Sequence, residues 1–238
     1  MSLLLASVSN LDEAHLALAC GVDWLDIKDP HAGALGRATY GVVRAIARTA
    51  AGRLPISATV GDTWDTPAAI GTAVADMTAT GVDYIKVGLR ARAIGPAALA
   101  ALISAVASGT PLIVVCMAED PPAVGDLEAL AATGIAGVML DTANKAGGRL
   151  TALLPVDRLR TFVECGRRLG LLTGLAGRLQ LDDVPMLLPC MADYLGFRSA
   201  LCHDGRREAG FARDALLAVR SAVSGGVRQV TNLDNEVA

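Results

Sequence analysis

Short β-forming runs alternate with longer helical stretches eight times along this chain of 238 residues, and no linker interrupts the alternation. Parallel βα units produce that pattern, because a parallel strand needs a crossover before the next strand can be laid beside it. Strands are expected near Leu3–Val8, Val22–Lys28, Pro55–Val60, Asp83–Val87, Leu112–Met117, Ala136–Asp141, Leu171–Leu175 and Tyr194–Arg198. Helices are expected between and after them, the last two near Asp182–Cys190 and Arg207–Val223. Gly21, Gly81, Gly109, Gly134 and Gly170 stand where a helix must stop before the next strand. Eight such units fit a single-domain closed (β/α)8 TIM barrel, for which ~250 residues is typical. A doubly wound open sheet is the structural alternative. The barrel domain is expected over 1–224, and the polar stretch 225–238, which opens on Gly225 and Gly226, reads as a flexible C-terminal tail.

Composition narrows the class of partner. The chain is 53% hydrophobic, but no apolar run approaches the ~18 residues of a membrane span. The opening MSLLLASVSNLDEAH lacks a basic leader and reads as a first strand, so a cytoplasmic protein is expected. Five cysteines, with no CxxC pair, suggest reduced thiols rather than disulfides or a zinc site. A net charge of −3 and 3% aromatics argue against a nucleic-acid partner. His15, His31 and His203 are far apart, and no Gly-rich dinucleotide fingerprint follows the first strand, so no metal and no cofactor are expected. A small molecule is the expected ligand, and an alanine-rich helix face is compatible with a homo-oligomer.

Only three lysines, Lys28, Lys86 and Lys145, stand among the 21 basic residues. Arginine-heavy composition accounts for their number but not for their placement. Arginine stays protonated, whereas an amine can lose its proton and attack a carbonyl. Each lysine closes an apolar run, in VDWLDIK, VDYIKVGL and GVMLDTANK. Strand alternation turns Leu25 and Ile27 toward the helices and Trp24, Asp26 and Lys28 into the barrel. By the same rule Lys86 and Asp141 point inward, while Ile85, Val87, Val138 and Leu140 point outward. Asp26, Lys28, Lys86 and Asp141 should therefore converge from strands two, four and six. Lys145, four residues past Asp141, lies on a loop that can fold over the same mouth.

An ordinary lysine has a pKa near ~10.4, so a Schiff-base lysine needs lowering by ~3 units, about 4 kcal/mol. Neighbouring cations and desolvation supply such a shift, and carboxylates can move the protons. Lysine with carboxylate inside a barrel is the equipment of a class I aldolase. A structural ion pair between Asp26 and Lys28, and loop capping by Asp141, are the structural alternatives. Phosphate sites are expected after strands seven and eight. There Gly174, Ala176 and Gly177 let backbone N–H groups approach an anion, with Arg178 adding charge, and Gly196, Arg198 and Ser199 do the same after strand eight. A second Gly-rich loop, with Gly33 and Gly36, follows Lys28 and reads either as a site for a second anionic group or as a lid.

Taken together, DIKDPHAGALG, ISATVGD, DYIKVGL, GVMLDTANK, LAGRL and GFRSALC resemble the (5-formylfuran-3-yl)methyl phosphate synthase family from the first strand to the last. The resemblance implies an aldolase-like lyase of methanofuran biosynthesis. Such an enzyme condenses two glyceraldehyde 3-phosphate molecules into 4-(hydroxymethyl)-2-furancarboxaldehyde phosphate, with release of phosphate and water. It also implies that Lys28 is the Schiff-base residue, that Lys86 and Lys145 are the other active-site lysines, and that Asp26 and Asp141 are their acidic partners. Ser199 stands where the family usually has glycine, and CMAEDPPAVGD after strand five lacks an aromatic residue found in family members. A class I phosphosugar aldolase or isomerase is the nearest alternative, and a non-catalytic triose-phosphate-binding protein is another.

Overall fold

The computed structural model describes residues 2–61, 67–107, 109–143 and 147–233, with side chains through 225. Eight parallel strands close into a barrel in sequence order: β1 Leu3–Val8, β2 Trp24–Ile27, β3 Ile56–Thr59, β4 Tyr84–Leu89, β5 Leu112–Met117, β6 Gly137–Asp141, β7 Leu172–Leu175 and β8 Tyr194–Phe197. Closure is made by β8 against β1, with Leu3 opposite Tyr194 and Leu5 opposite Gly196. The helices are α1 Leu11–Ala19, α2 Tyr40–Ala50, α3 Pro67–Thr78, α4 Pro96–Val106, α5 Val124–Ala131, α6 Leu150–Leu153, α7 Val156–Arg168, α8 Val184–Leu187 and α9 Arg213–Leu233. All five glycines expected at helix ends have positive φ, the left-handed conformation that lets the chain turn into the next strand.

Alternating side chains divide the core in two. Leu25, Ile27, Ile85, Val87, Val138 and Leu140 belong to the larger cluster between strands and helices. Leu5, Trp24, Ile113, Val115, Met139 and Tyr194 fill the barrel itself. A repeated Asp-aromatic step stitches the N-terminal end of the barrel. Asp23, Asp83 and Asp193 each precede a strand, and each carboxylate accepts the backbone N–H of the neighbouring strand, at Leu4 (2.8 Å), Ile56 (2.8 Å) and Thr173 (2.7 Å). Those N–H groups lie at the starts of β1, β3 and β7, so the carboxylates satisfy backbone donors at the barrel floor.

Two elements differ from expectation. The stretch expected as one helix over Asp182–Cys190 is broken into a 3-10 turn (Leu181–Asp183), the single turn α8 and a second 3-10 turn (Leu188–Cys190). Pro185 and Pro189 each lack the N–H a continuing helix would use, and their rings clash with the preceding turn. The last helix begins at Arg213 rather than Arg207, because Cys202 and Phe211 form an isolated antiparallel bridge that holds the intervening loop across the barrel mouth. It continues to Leu233, past the Gly225–Gly226 pair at which the sequence reading ends the barrel domain. Residues 234–238 of the expected tail lie outside the described residues. Among the described residues, no helix is long and apolar enough to cross a membrane.

Candidate active site

A belt of polar side chains runs around the inner face of the first four strands. Ser7, Asp26 and Ser57 are register partners on β1, β2 and β3, so their side chains point to the same side at nearly the same height. Ser57 Oγ donates to Asp26 Oδ1 at 2.6 Å, Ser7 Oγ donates to Asp26 Oδ2 at 3.2 Å, and Trp24 Nε1 donates to Ser57 Oγ at 3.2 Å. Lys86 on β4 completes the belt, with Nζ 2.9 Å from Asp26 Oδ1 and its side chain 1% exposed. The contact is a buried, charge-assisted one between ammonium and carboxylate. Asp26 is thus paired with Lys86, not with Lys28 as the structural alternative from sequence had it.

Above this pair lies a second one. Lys28 Nζ stands 3.8 Å from Asp141 Oδ2, bringing β2 and β6 together across the barrel. Asp141 Oδ1 also accepts the Thr142 N–H at 2.7 Å, which fixes the carboxylate at the strand end. Burial pushes the Lys86 amine below its ordinary pKa, and nearby Lys28 adds to that, against the opposing pull of Asp26. Burial alone would raise the Asp26 carboxyl, but Lys86, Lys28 and Ser57 together hold it below the usual carboxylate value. Asp141 goes the other way. Burial raises its carboxyl, and Lys28 with the Thr142 N–H offset only part of the effect.

Tyr194 forms the floor under the belt. Lys86 Nζ lies 5.4 Å from its ring centroid, and Trp24 packs against it with centroids 5.1 Å apart. Burial holds the phenol well above its ordinary pKa, and its hydroxyl has no hydrogen-bond partner among the described residues. Gly174 on β7 faces this ring, and a Cβ there would overlap Tyr194 Cε2 and Cζ.

The mouth opens into a cavity of about 310 Å³, lined by Lys28 and Asp141 on one side and by the loops after β7 and β8 on the other. Of the residues expected to bind phosphate, Ala176, Gly177, Arg178, Gly196, Arg198 and Ser199 reach this cavity. Gly174 does not, since it is packed under Tyr194. Gly33 and Gly36 do not line it either. Gly33 lends its carbonyl to Arg207 Nη2 at 3.2 Å. Gly36 is pressed against the Asp29 carbonyl with no room for a Cβ, and its own carbonyl accepts from Asp29 N (2.8 Å) and Thr59 Oγ1 (3.1 Å). Leu35 from the same loop is buried in the barrel cluster, which ties the loop down over Trp24. Lys145 lies outside the described residues.

Sequence reading missed several participants. Ser7 and Ser57 were legible, because strand parity in LLLASV and ISAT places them inward. Arg206, Arg207 and Glu208 line the cavity, Arg207 and Glu208 in a segment that reads as helix and Arg206 just before it. Glu13 carried no signal at all. It is 4% exposed and grips Arg198 across the β1–β8 seam, at 2.5 Å to Nη1 and 2.9 Å to Nη2.

The family model for 4-HFC-P synthase matches residues 4–220. A Methylorubrum extorquens protein provisionally named (5-formylfuran-3-yl)methyl phosphate synthase is 44% identical over 208 residues, covering 87% of this chain and 85% of the relative. The (5-formylfuran-3-yl)methyl phosphate synthase of Methanopyrus kandleri is 34% identical over 227 residues, covering 90% and 95%. Among solved structures, 3-hexulose-6-phosphate synthase from Salmonella typhimurium superposes with a TM-score of 0.69 at 16% identity, over 94% of this chain and 99% of that one. At that identity the structural likeness speaks to the barrel alone, whereas the sequence matches run nearly end to end through both lysine strands: the chain belongs to the 4-HFC-P synthase family.

Proposed function

We propose that this protein condenses two molecules of glyceraldehyde 3-phosphate, through a Schiff base on Lys28, into 4-(hydroxymethyl)-2-furancarboxaldehyde phosphate, with release of phosphate and water. The observation that carries the choice of Lys28 is its position. Its amine borders the cavity beside Asp141, whereas Lys86 is sealed beneath it with Asp26. The names of the relatives supply the product.

In this reading, Lys28 adds to the aldehyde of one triose, and loss of water gives an iminium that acidifies the neighbouring carbon. Asp141 takes and returns protons at that carbon, and its raised carboxyl makes it a better proton carrier near neutrality than an ordinary aspartate. The resulting enamine expels phosphate from its third carbon, and that carbon, now conjugated to the iminium, forms the new carbon–carbon bond with the second carbon of the other triose. Ring closure and loss of water then give the aromatic furan, and hydrolysis of the iminium frees its aldehyde from Lys28. Lys86 and Asp26, below the reacting centre, form a buried pair that sets the local charge, with Asp26 compensating the ammonium.

Two measurements test this. Glyceraldehyde 3-phosphate alone should yield an ultraviolet-absorbing furan with the wild type and none with Lys28→Ala. Borohydride added during turnover should fix a triose adduct on the peptide carrying Lys28. An adduct on Lys86 instead, or no adduct while furan still forms, overturns the assignment.

A further inference from the structure

Arg198 is the arginine that the sequence places nearest to a phosphate site, yet four of its five N–H donors are already engaged by the protein. Its guanidinium forks onto Glu13, Nη1 also donates to the Ser7 carbonyl at 3.0 Å, and Nε donates to the Arg207 carbonyl at 2.8 Å. It lies 5.0 Å from the Phe211 ring centroid on the far side of the same loop. Arg198 is therefore a post. It neutralises a buried carboxylate and fixes the segment that carries Arg207 above the cavity.

The guanidinium offered by that segment belongs to Arg207. Nη2 holds the Gly33 carbonyl, but Nε is buried and has no hydrogen-bond partner among the described residues. The nearest acid, Glu208, is half-exposed and stands 3.9 Å from Nε, beyond hydrogen-bond reach. A buried N–H without an acceptor is costly and uncommon in native proteins. Here it occurs on the wall of a cavity that also holds Lys28, and a guanidinium suits the planar, multi-oxygen face of a phosphate better than any other side chain. We propose that Arg207 receives a phosphate ester of the bound substrate, and that its grip on Gly33 couples the loop after Lys28 to that anion. The proposal deepens the phosphorylated-aldehyde reading above and rests on it for the substrate class.

The test compares wild type with Arg207→Gln and Arg207→Lys by two readouts. Calorimetric titration with inorganic phosphate reads the anion site directly. Loss of a charge-assisted contact should weaken binding by about 10–100-fold in Arg207→Gln, with Arg207→Lys recovering part of it. Borohydride trapping at subsaturating aldehyde reads selectivity. The adduct yield with glyceraldehyde 3-phosphate should fall by about the same factor in Arg207→Gln, while the yield with unphosphorylated glyceraldehyde stays within about twofold. A role confined to holding the Gly33 loop would lower both yields together, and that result overturns the proposal. So does wild type that binds no phosphate at millimolar concentration, or Arg207→Gln that binds it as wild type does. If no aldehyde is trapped by any variant, the Schiff-base reading has failed, and the phosphate titration alone decides the role of Arg207.

Discussion

Replacing Asp26 with asparagine isolates the energetics of the buried pair. Asp26 is 2% exposed and Lys86 1%, and removing one partner from such a pair costs ~3–5 kcal/mol because the other charge is left uncompensated. With an unfolding entropy of ~2.1 cal/mol/K per residue over 238 residues, about 0.5 kcal/mol/K in all, Asp26→Asn should lower the melting temperature by about 6–10 °C at pH 7. The pH dependence has a definite sign. The Lys86 amine already titrates below its ordinary value of 10.5 in the folded protein. Between its folded and unfolded pKa the unfolded chain binds more protons, so stability rises with pH through that window. Asp26 raises the Lys86 pKa more than Asp141 does, so its loss widens the window, and Asp26→Asn should recover more stability than wild type between pH 7 and pH 10. Adding Lys86→Met removes the stranded charge and should restore much of the loss at pH 7. Thermal and urea unfolding followed by circular dichroism at both pH values provide the assay. A loss below about 1 kcal/mol at pH 7, or a double variant no more stable than the single one, would show that the pair is solvated or relaxed and refute the reasoning.

Three further outcomes are expected. Gly174→Ala should destabilise the barrel by about 1–3 kcal/mol, since its Cβ would overlap the Tyr194 ring in a packed interior; an unchanged melting temperature would mean that the ring can move aside. Because burial raises the Asp141 carboxyl above its ordinary 3.8, trapping on Lys28 should decline in acid at a pH above the usual aspartate range, and Asp141→Asn should lose that acid limb. The same raised value means that stability is lost as pH rises through the folded pKa, so Asp141→Asn should be more stable relative to wild type at pH 7 than at pH 3; a relative stability that does not change with pH would contradict it.

The barrel was legible because its determinants are local. Two sequence-adjacent facts, the direction of successive Cβ atoms and the placement of helix-ending glycines, give strand boundaries within about two residues and the correct inward set at Trp24, Asp26, Lys28, Lys86 and Asp141. Helices failed to read correctly where local pattern and tertiary context diverged. Pro185 and Pro189 stand inside the stretch expected as one helix and break it into short turns. The segment Arg207–Ala212 has helical composition, but the Cys202–Phe211 bridge holds it as a loop.

Partner choice is a different kind of information. Parity says that two lysines and two aspartates face one interior, but not which carboxylate meets which amine. That depends on how far each strand is displaced along the barrel axis, a property of all eight registers together, and it pairs Lys86 with Asp26 and Lys28 with Asp141. Arg198 shows the same division more sharply. Its place at the end of β8 follows from the chain, whereas its capture by Glu13 follows only from closure of β8 against β1, which joins residues 185 apart in sequence. Alternation along the chain settles the direction of each side chain, because direction is set by the backbone of its own strand. Closure of the barrel settles which charges are neutralised and which remain for a ligand, because electrostatic pairing depends on distance in space, and only the folded ring determines those distances.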